Sequence, residues 1–184
     1  MIHRPGPDEY APYFERYIKR VPDGDILDIL AGQIERVYEF LGGIDEESAA
    51  HRYGPDKWSI KQVVGHIVDC ERVFSYRALR FARDDKTPLP GFDQDEFVTR
   101  GHFDQRSLDD ISNELRAVRL ATLALFRSFE PEILLRRGTA SGFEFTVRSI
   151  PYLVAGHELH HLDVIQDRYL SATGVRGDSI EKLD

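Results

Sequence analysis

Four stretches of this chain repeat their apolar residues at threes and fours, and that periodicity restricts the fold more than anything else in the sequence. In DILDILAGQIERVYEFLGGI, residues 25–44, Ile26, Ile29, Leu30, Ile34, Val37 and Leu41 fall on one helical face, and Gly42-Gly43 ends it. The second stretch starts after Ser59, a favourable N-cap, and runs through IKQVVGHIVDCERVFSYRALRFARDD. Val63, His66, Ile67, Cys70 and Phe74 lie on its inward face. The third begins at Ser107, another N-cap residue, and continues through Ile111, Leu115, Val118, Leu123 and Phe126, with Pro131 just beyond its end. The fourth spans about Thr146 to Leu170, and Pro151 is tolerable only near its start.

The connections GGIDEESAAHRYGPDKW and DKTPLPGFDQDEFVTRGHFDQ are long and rich in Gly, Pro and Asp. Connections of that length often carry function or short helices of their own. DQDEFV offers one helical turn, and GTASGFEFT a short extended piece. No other alternation is sufficient for a sheet. The expected fold class is all-α, a four-helix bundle with long connections. It is expected to form one domain over residues 1–184, with its core at about 25–170. Periodicity alone leaves the order of the helices around the bundle open.

Charge and cysteine content exclude several classes. The net charge is −8, from 24 Lys+Arg against 32 Asp+Glu, and the basic residues are scattered, so no nucleic-acid partner is expected. No apolar run approaches the roughly 18 residues of a membrane span. Cys70 is the one cysteine, which precludes an internal disulfide. MIHRPGPDEY lacks the apolar centre of a signal peptide, and a cytoplasmic location is expected.

The fourth stretch contains His157-Glu158-Leu159-His160-His161, which matches the HExxH pattern of zinc peptidases. A peptidase of that kind needs a further ligand downstream. After His161 come 184 − 161 = 23 residues without the required glycine-histidine extension, and their one glutamate is Glu181 in a polar tail. A different site fits better. His157 and His161 stack on one helical face among Leu153, Val154, Val164 and Ile165, where two imidazoles need a partner. His66, inward on the second helix, is the natural third ligand for one divalent metal with open positions. Cys70, one turn on, is read as a buried, inert thiol. His160 points about 100° away from His161 and is an accessory group rather than a ligand. Asp69 and Asp163 are candidates to orient an imidazole or accept a proton, and equally to be solvated helix carboxylates. The loop with Asp93, Gln94 and Asp95 could cover the mouth of the site. Glu158 points off the ligand line, as a helix-surface or accessory carboxylate.

Two stretches resemble the DinB-like (YfiT-like) metal-binding four-helix superfamily: DKWSIKQVVGHIVDCERVFSYR, with its Trp-Ser pair ahead of His66, and YLVAGHELHHLDVIQDRYL, with HxxxH. PGFDQDEFV and ELRAVRLATLALFRSF are similar to one subgroup of it, so that the resemblance spans about residues 25–170. It implies an up-down-down-up bundle with His66, His157 and His161 binding Zn, Ni, Fe or Mn between the second and fourth helices. It also implies a homodimer and a small-molecule substrate. The activity it implies is thiol transfer or a related metal-dependent reaction, with a low-molecular-weight thiol such as bacillithiol, mycothiol or glutathione. The alternative is a non-catalytic stress or interaction protein built on the same bundle.

Overall fold

A computed structural model describes residues 1–171. The four periodic stretches are its four long helices: α2 (Ile26–Gly42), α4 (Ile60–Ala82), α6 (Leu108–Arg127) and α7 (Ser149–Val164). Shorter helices precede or connect them: α1 (Glu15–Ile18), α3 (Glu46–Ala50) and α5 (Gln94–Gly101). Local chemistry sets the boundaries. The Asp25 side chain accepts from Leu27 N–H at the start of α2. Ser59 and Gln62 form a reciprocal capping box at the start of α4. Ser107 accepts from Asp110 N–H at the start of α6.

The expected start of the fourth helix is corrected by three residues. Phe143–Thr146 forms β2, paired antiparallel with β1, Arg137–Ala140. Ser141 and Gly142 both have positive φ, 52° and 82°, the geometry of a tight two-residue hairpin turn. Pro151 therefore sits in the first turn of α7, where its missing N–H leaves no gap. Beyond Val164 the helix widens into a π-helical turn over Ile165–Leu170.

Packing fixes the topology that periodicity leaves open. The helices are neighbours in the cyclic order α2, α6, α4, α7. Their apolar residues fall into two clusters. One holds Leu30, Phe74, Leu123, Phe126, Leu153 and Val154; the other holds Val37, Leu41, Val63, Val64, Leu115 and Leu162. Helices α2 and α7 enter the first cluster and leave through the second, whereas α4 and α6 run the other way. The arrangement is up-down-down-up. Two pairs of neighbours, α4 with α6 and α2 with α7, are therefore parallel, and a parallel pair cannot be joined by a tight turn. The long α4–α6 connection, which includes α5, is what that crossover requires.

The residues before α2 show no periodicity, yet they are packed. Ile2, Tyr10, Ala11, Tyr17, Ile18 and Val21 are buried. Arg4 donates to the carbonyls of Ile18, Val21 and Pro22, which holds this segment folded. It lies along α7 at Gly156. A Cβ there would meet the Tyr17 carbonyl oxygen at 2.0 Å, so only glycine permits the approach. No helix among the described residues is long and apolar enough to cross a membrane.

Candidate metal centre

His66 is on α4, and His157 and His161 are one turn apart on α7. The antiparallel crossing of these helices brings His66 Nε2 to 3.1 Å from His157 Nε2, across 91 residues of sequence. His161 Nε2 is also 3.1 Å from His157 Nε2. Among the described residues, this trio is the group of possible ligands whose donor atoms all lie within 4.8 Å of one another. The Cys70 Sγ approaches His66 at 3.6 Å but is outside that group. Burial pushes its thiol up to about 12, so it stays protonated, as an inert thiol should.

Burial also keeps the imidazoles neutral. It lowers His66 to about 4. His161 falls to about 3, through burial and then through its neighbours His66, His160 and Arg16. His157 lies well below the ordinary value, through burial and then His161 and His66. A neutral imidazole has one N–H and one lone pair. Three such rings whose Nε2 atoms meet cannot all satisfy one another, because His157 Nε2 can donate to only one neighbour or accept through one lone pair. A cation in their midst would use all three lone pairs, and neutral imidazoles are the form that binds metal. The donor set therefore fits a divalent metal ion.

Aromatic rings hold the trio in place. Trp58 packs on His66 with centroids 4.9 Å apart, and Tyr17 and Phe74 stand edge-on to His157 at 5.4 and 6.0 Å. Tyr17 comes from α1 and had no signal in the apolar pattern. Next to His161 a cavity of about 240 Å³ opens to solvent. Tyr53, Trp58 and Tyr169 form its apolar wall, and Asp56, Lys57 and Asp95 are charged groups on its lining. Asp95 comes from the loop expected to cover the mouth. Its neighbour Asp93 instead caps α5, accepting from the N–H groups of Asp95 and Glu96.

The accessory residues separate. His160 is half-buried, its ring 5.1 Å from that of His161 and 5.3 Å from that of Tyr17. Asp69 and Asp163 hydrogen-bond to no histidine among the described residues. Asp69 lies 4.0 Å from Arg72, and Asp163 pairs with Arg20 at the surface. On α4 and α7 both carboxylates face arginine side chains, in keeping with the alternative reading of them as solvated helix carboxylates. The reading of Glu158 is corrected. It does point away from the ligand line, but it is 1% exposed, and Arg119 Nη2 donates to its Oε2 at 2.7 Å. Glu181, in the tail, lies outside the described residues.

Comparison with known proteins agrees with the fold. A family model described as the DinB superfamily matches residues 29–165. The chain is 27% identical over 136 residues to a protein of Oceanobacillus iheyensis provisionally named a metal-dependent hydrolase, covering 69% of this chain and 73% of that protein. Among solved structures, YfiT from Bacillus subtilis, described as a probable metal-dependent hydrolase with an unusual four-helix bundle topology, matches with a TM-score of 0.69 at 14% identity. That match covers 95% of each chain, and at such identity the likeness is one of fold.

Proposed function

This chain belongs to the DinB superfamily, and on that premise we propose that it is a divalent-metal-dependent enzyme acting on a small molecule, with His66, His157 and His161 as the metal ligands. The observation that carries the reading is the convergence of three neutral Nε2 atoms, one of them on His161, which lines an open cavity. A metal-free scaffold would have to bury imidazoles whose Nε2 atoms cannot all be paired with one another. A peptidase finds no support in the site, because Glu158 is buried against Arg119 and cannot act as a general base toward the histidines.

Bound there, the ion would supply Lewis acidity and lower the pKa of a coordinating water or thiol. The chain itself holds the three rings neutral and fixed. Tyr17, Trp58 and Phe74 exclude water from their flanks. Tyr53, Trp58 and Tyr169 offer apolar surface to a substrate, and Asp56, Lys57 and Asp95 offer polar contacts that orient it. The reaction we assign is transfer of water or of a low-molecular-weight thiol to a small electrophile. The subunit is proposed to be one domain over residues 1–184, working in the cytoplasm as a homodimer. Light scattering at micromolar concentration checks the dimer, and a strict monomer would count against it.

Metal analysis of untagged protein should find about one divalent ion per chain, as a single three-histidine site implies. Metal-loaded protein should then consume an electrophilic substrate faster with a low-molecular-weight thiol, or with water alone, than His66→Ala does. Protein that retains no metal would refute the reading.

A further inference from the structure

One side chain, Arg119 of α6, ties together the two helices that carry the histidines. Its Nε and Nη2 donate to Glu71 Oε1 and Oε2 at 2.8 and 2.9 Å. Nη2 also donates to Glu158 Oε2 at 2.7 Å. Nη1 donates to the Leu30 carbonyl at 3.2 Å and to Gln33 Oε1 at 3.4 Å. Gln33 Nε2 in turn donates to the Ala155 carbonyl on α7 at 3.3 Å. Arg119, Glu71, Glu158 and Gln33 are each at most 2% exposed. Together they form a polar layer with one member from each long helix, and it separates the two apolar clusters of the core.

Stability alone does not account for such a layer. Buried charges lose their hydration, and replacing a buried ion pair by apolar residues is often neutral or stabilising. Geometry does account for it. The guanidinium is a rigid planar fork, so five bonds to three helices leave those helices little freedom to slide or rotate. Glu158 is adjacent to His157. Glu71 is five residues beyond His66, roughly 7.5 Å along the axis of α4.

We infer that Arg119 is a positioning residue for the histidine trio: by clamping Glu71 of α4 and Glu158 of α7, it sets the register in which His66 meets His157 and His161. This rests on the trio being the metal site. A slip of either helix would separate Nε2 atoms now 3.1 Å apart.

The test uses Co²⁺ as the probe, with affinity from chelator competition, the visible spectrum as a report of ligand geometry, and the melting temperature measured alongside. Arg119→Met should weaken Co²⁺ binding by roughly 10–100-fold, the loss typical of groups that orient metal ligands, and alter the spectrum while the protein is still folded. Leu41→Ala, in the core on α2, which carries none of the trio, should lower the melting temperature and leave affinity and spectrum unchanged. Glu158→Gln keeps an acceptor for Arg119 and should bind within a few-fold of wild type, whereas Glu158→Leu should lose affinity as Arg119→Met does. If Arg119→Met does not fold, the Glu158 pair decides. Equal binding by Glu158→Leu and wild type, or by Arg119→Met and wild type, would overturn the inference alone. A wild-type protein that takes up no Co²⁺ would overturn the metal reading, and this inference with it.

Discussion

His157 and Glu158 are consecutive in sequence and face opposite partners: His157 Nε2 is 3.1 Å from His66 Nε2, while Glu158 Oε2 is 2.7 Å from Arg119 Nη2. The HExxH spelling thus serves two sites, one made of imidazoles and one ionic. Under the proposed function, His66→Ala, His157→Ala and His161→Ala each remove a ligand and should leave protein with little bound metal. Glu158→Gln should retain it, and His160→Ala should have at most a modest effect. A peptidase of the HExxH type would instead retain metal in His66→Ala. The metal content of His66→Ala and Glu158→Gln, measured side by side, decides between them.

Gly156→Ala should be destabilising. The added methyl meets the Tyr17 carbonyl oxygen at 2.0 Å, and backbone cannot swing aside as a side chain can. Either α1 lifts from α7 or the helix distorts, at a cost of about 1–3 kcal/mol or more. Because Tyr17 packs on His157, metal affinity should fall as well. Urea denaturation gives the first effect, and chelator competition the second. Wild-type behaviour in both would refute the close approach.

Acid should weaken the packing of the N-terminal segment through Glu9. Burial raises its carboxyl, but hydrogen bonds from Arg148, the Gly6 N–H and Thr146 outweigh that and hold it at about 2, below the ordinary 4.5. A lowered folded-state value means stability that is present above about 4.5 and is lost as pH falls toward about 2. With partial screening, the contribution is on the order of 2 kcal/mol. The stability advantage of wild type over Glu9→Gln should therefore be full at pH 6 and shrink between pH 4.5 and 2. A difference independent of pH would count against the ion pair.

Ser59→Ala should loosen the start of the helix that carries His66. Ser59 Oγ accepts from Gln62 N–H at 3.1 Å and is 2.5 Å from Asp104 Oδ1. Loss of an N-cap costs about 0.5–2 kcal/mol, and here it also leaves Asp104 without that partner. Hydrogen exchange should quicken in the first turn of α4, with little change in the last turn of α6.

The four long helices could be read from sequence because each has an apolar stripe and because Ser59 and Ser107 mark the starts of two of them. The histidine trio could be read because its members fall on those stripes. The polar layer left a fainter trace: Arg119 continues the spacing of Ile111 and Leu115, and Glu71 follows Ile67 by one turn, so charged residues stand where apolar ones are due. The order of the helices could not be read from periodicity, since it depends on which stripes meet across the core, and it comes from the family resemblance instead. Nor could Tyr17 and its segment be read, because α1 is a single turn, too short to show a period, in a stretch tied down by Arg4. The hairpin matches the extended piece expected in GTASGFEFT, and the fourth helix starts at Ser149 rather than Thr146 because Thr146 is the last residue of β2.

The family match begins at residue 29, whereas the ring that walls His157 belongs to residue 17. The residues matched by the family model and those that enclose the histidines are therefore not coextensive. The leading segment behaves as a fitted stopper: Ile2 accepts from the Tyr152 hydroxyl, Glu9 is fastened to Arg148, and Tyr17 is pressed against Gly156. A version trimmed to residues 29–165 would keep all three imidazoles and lose both Tyr17 and Tyr169. Under the proposed function, how the histidines are enclosed therefore depends on segments that lie outside residues 29–165.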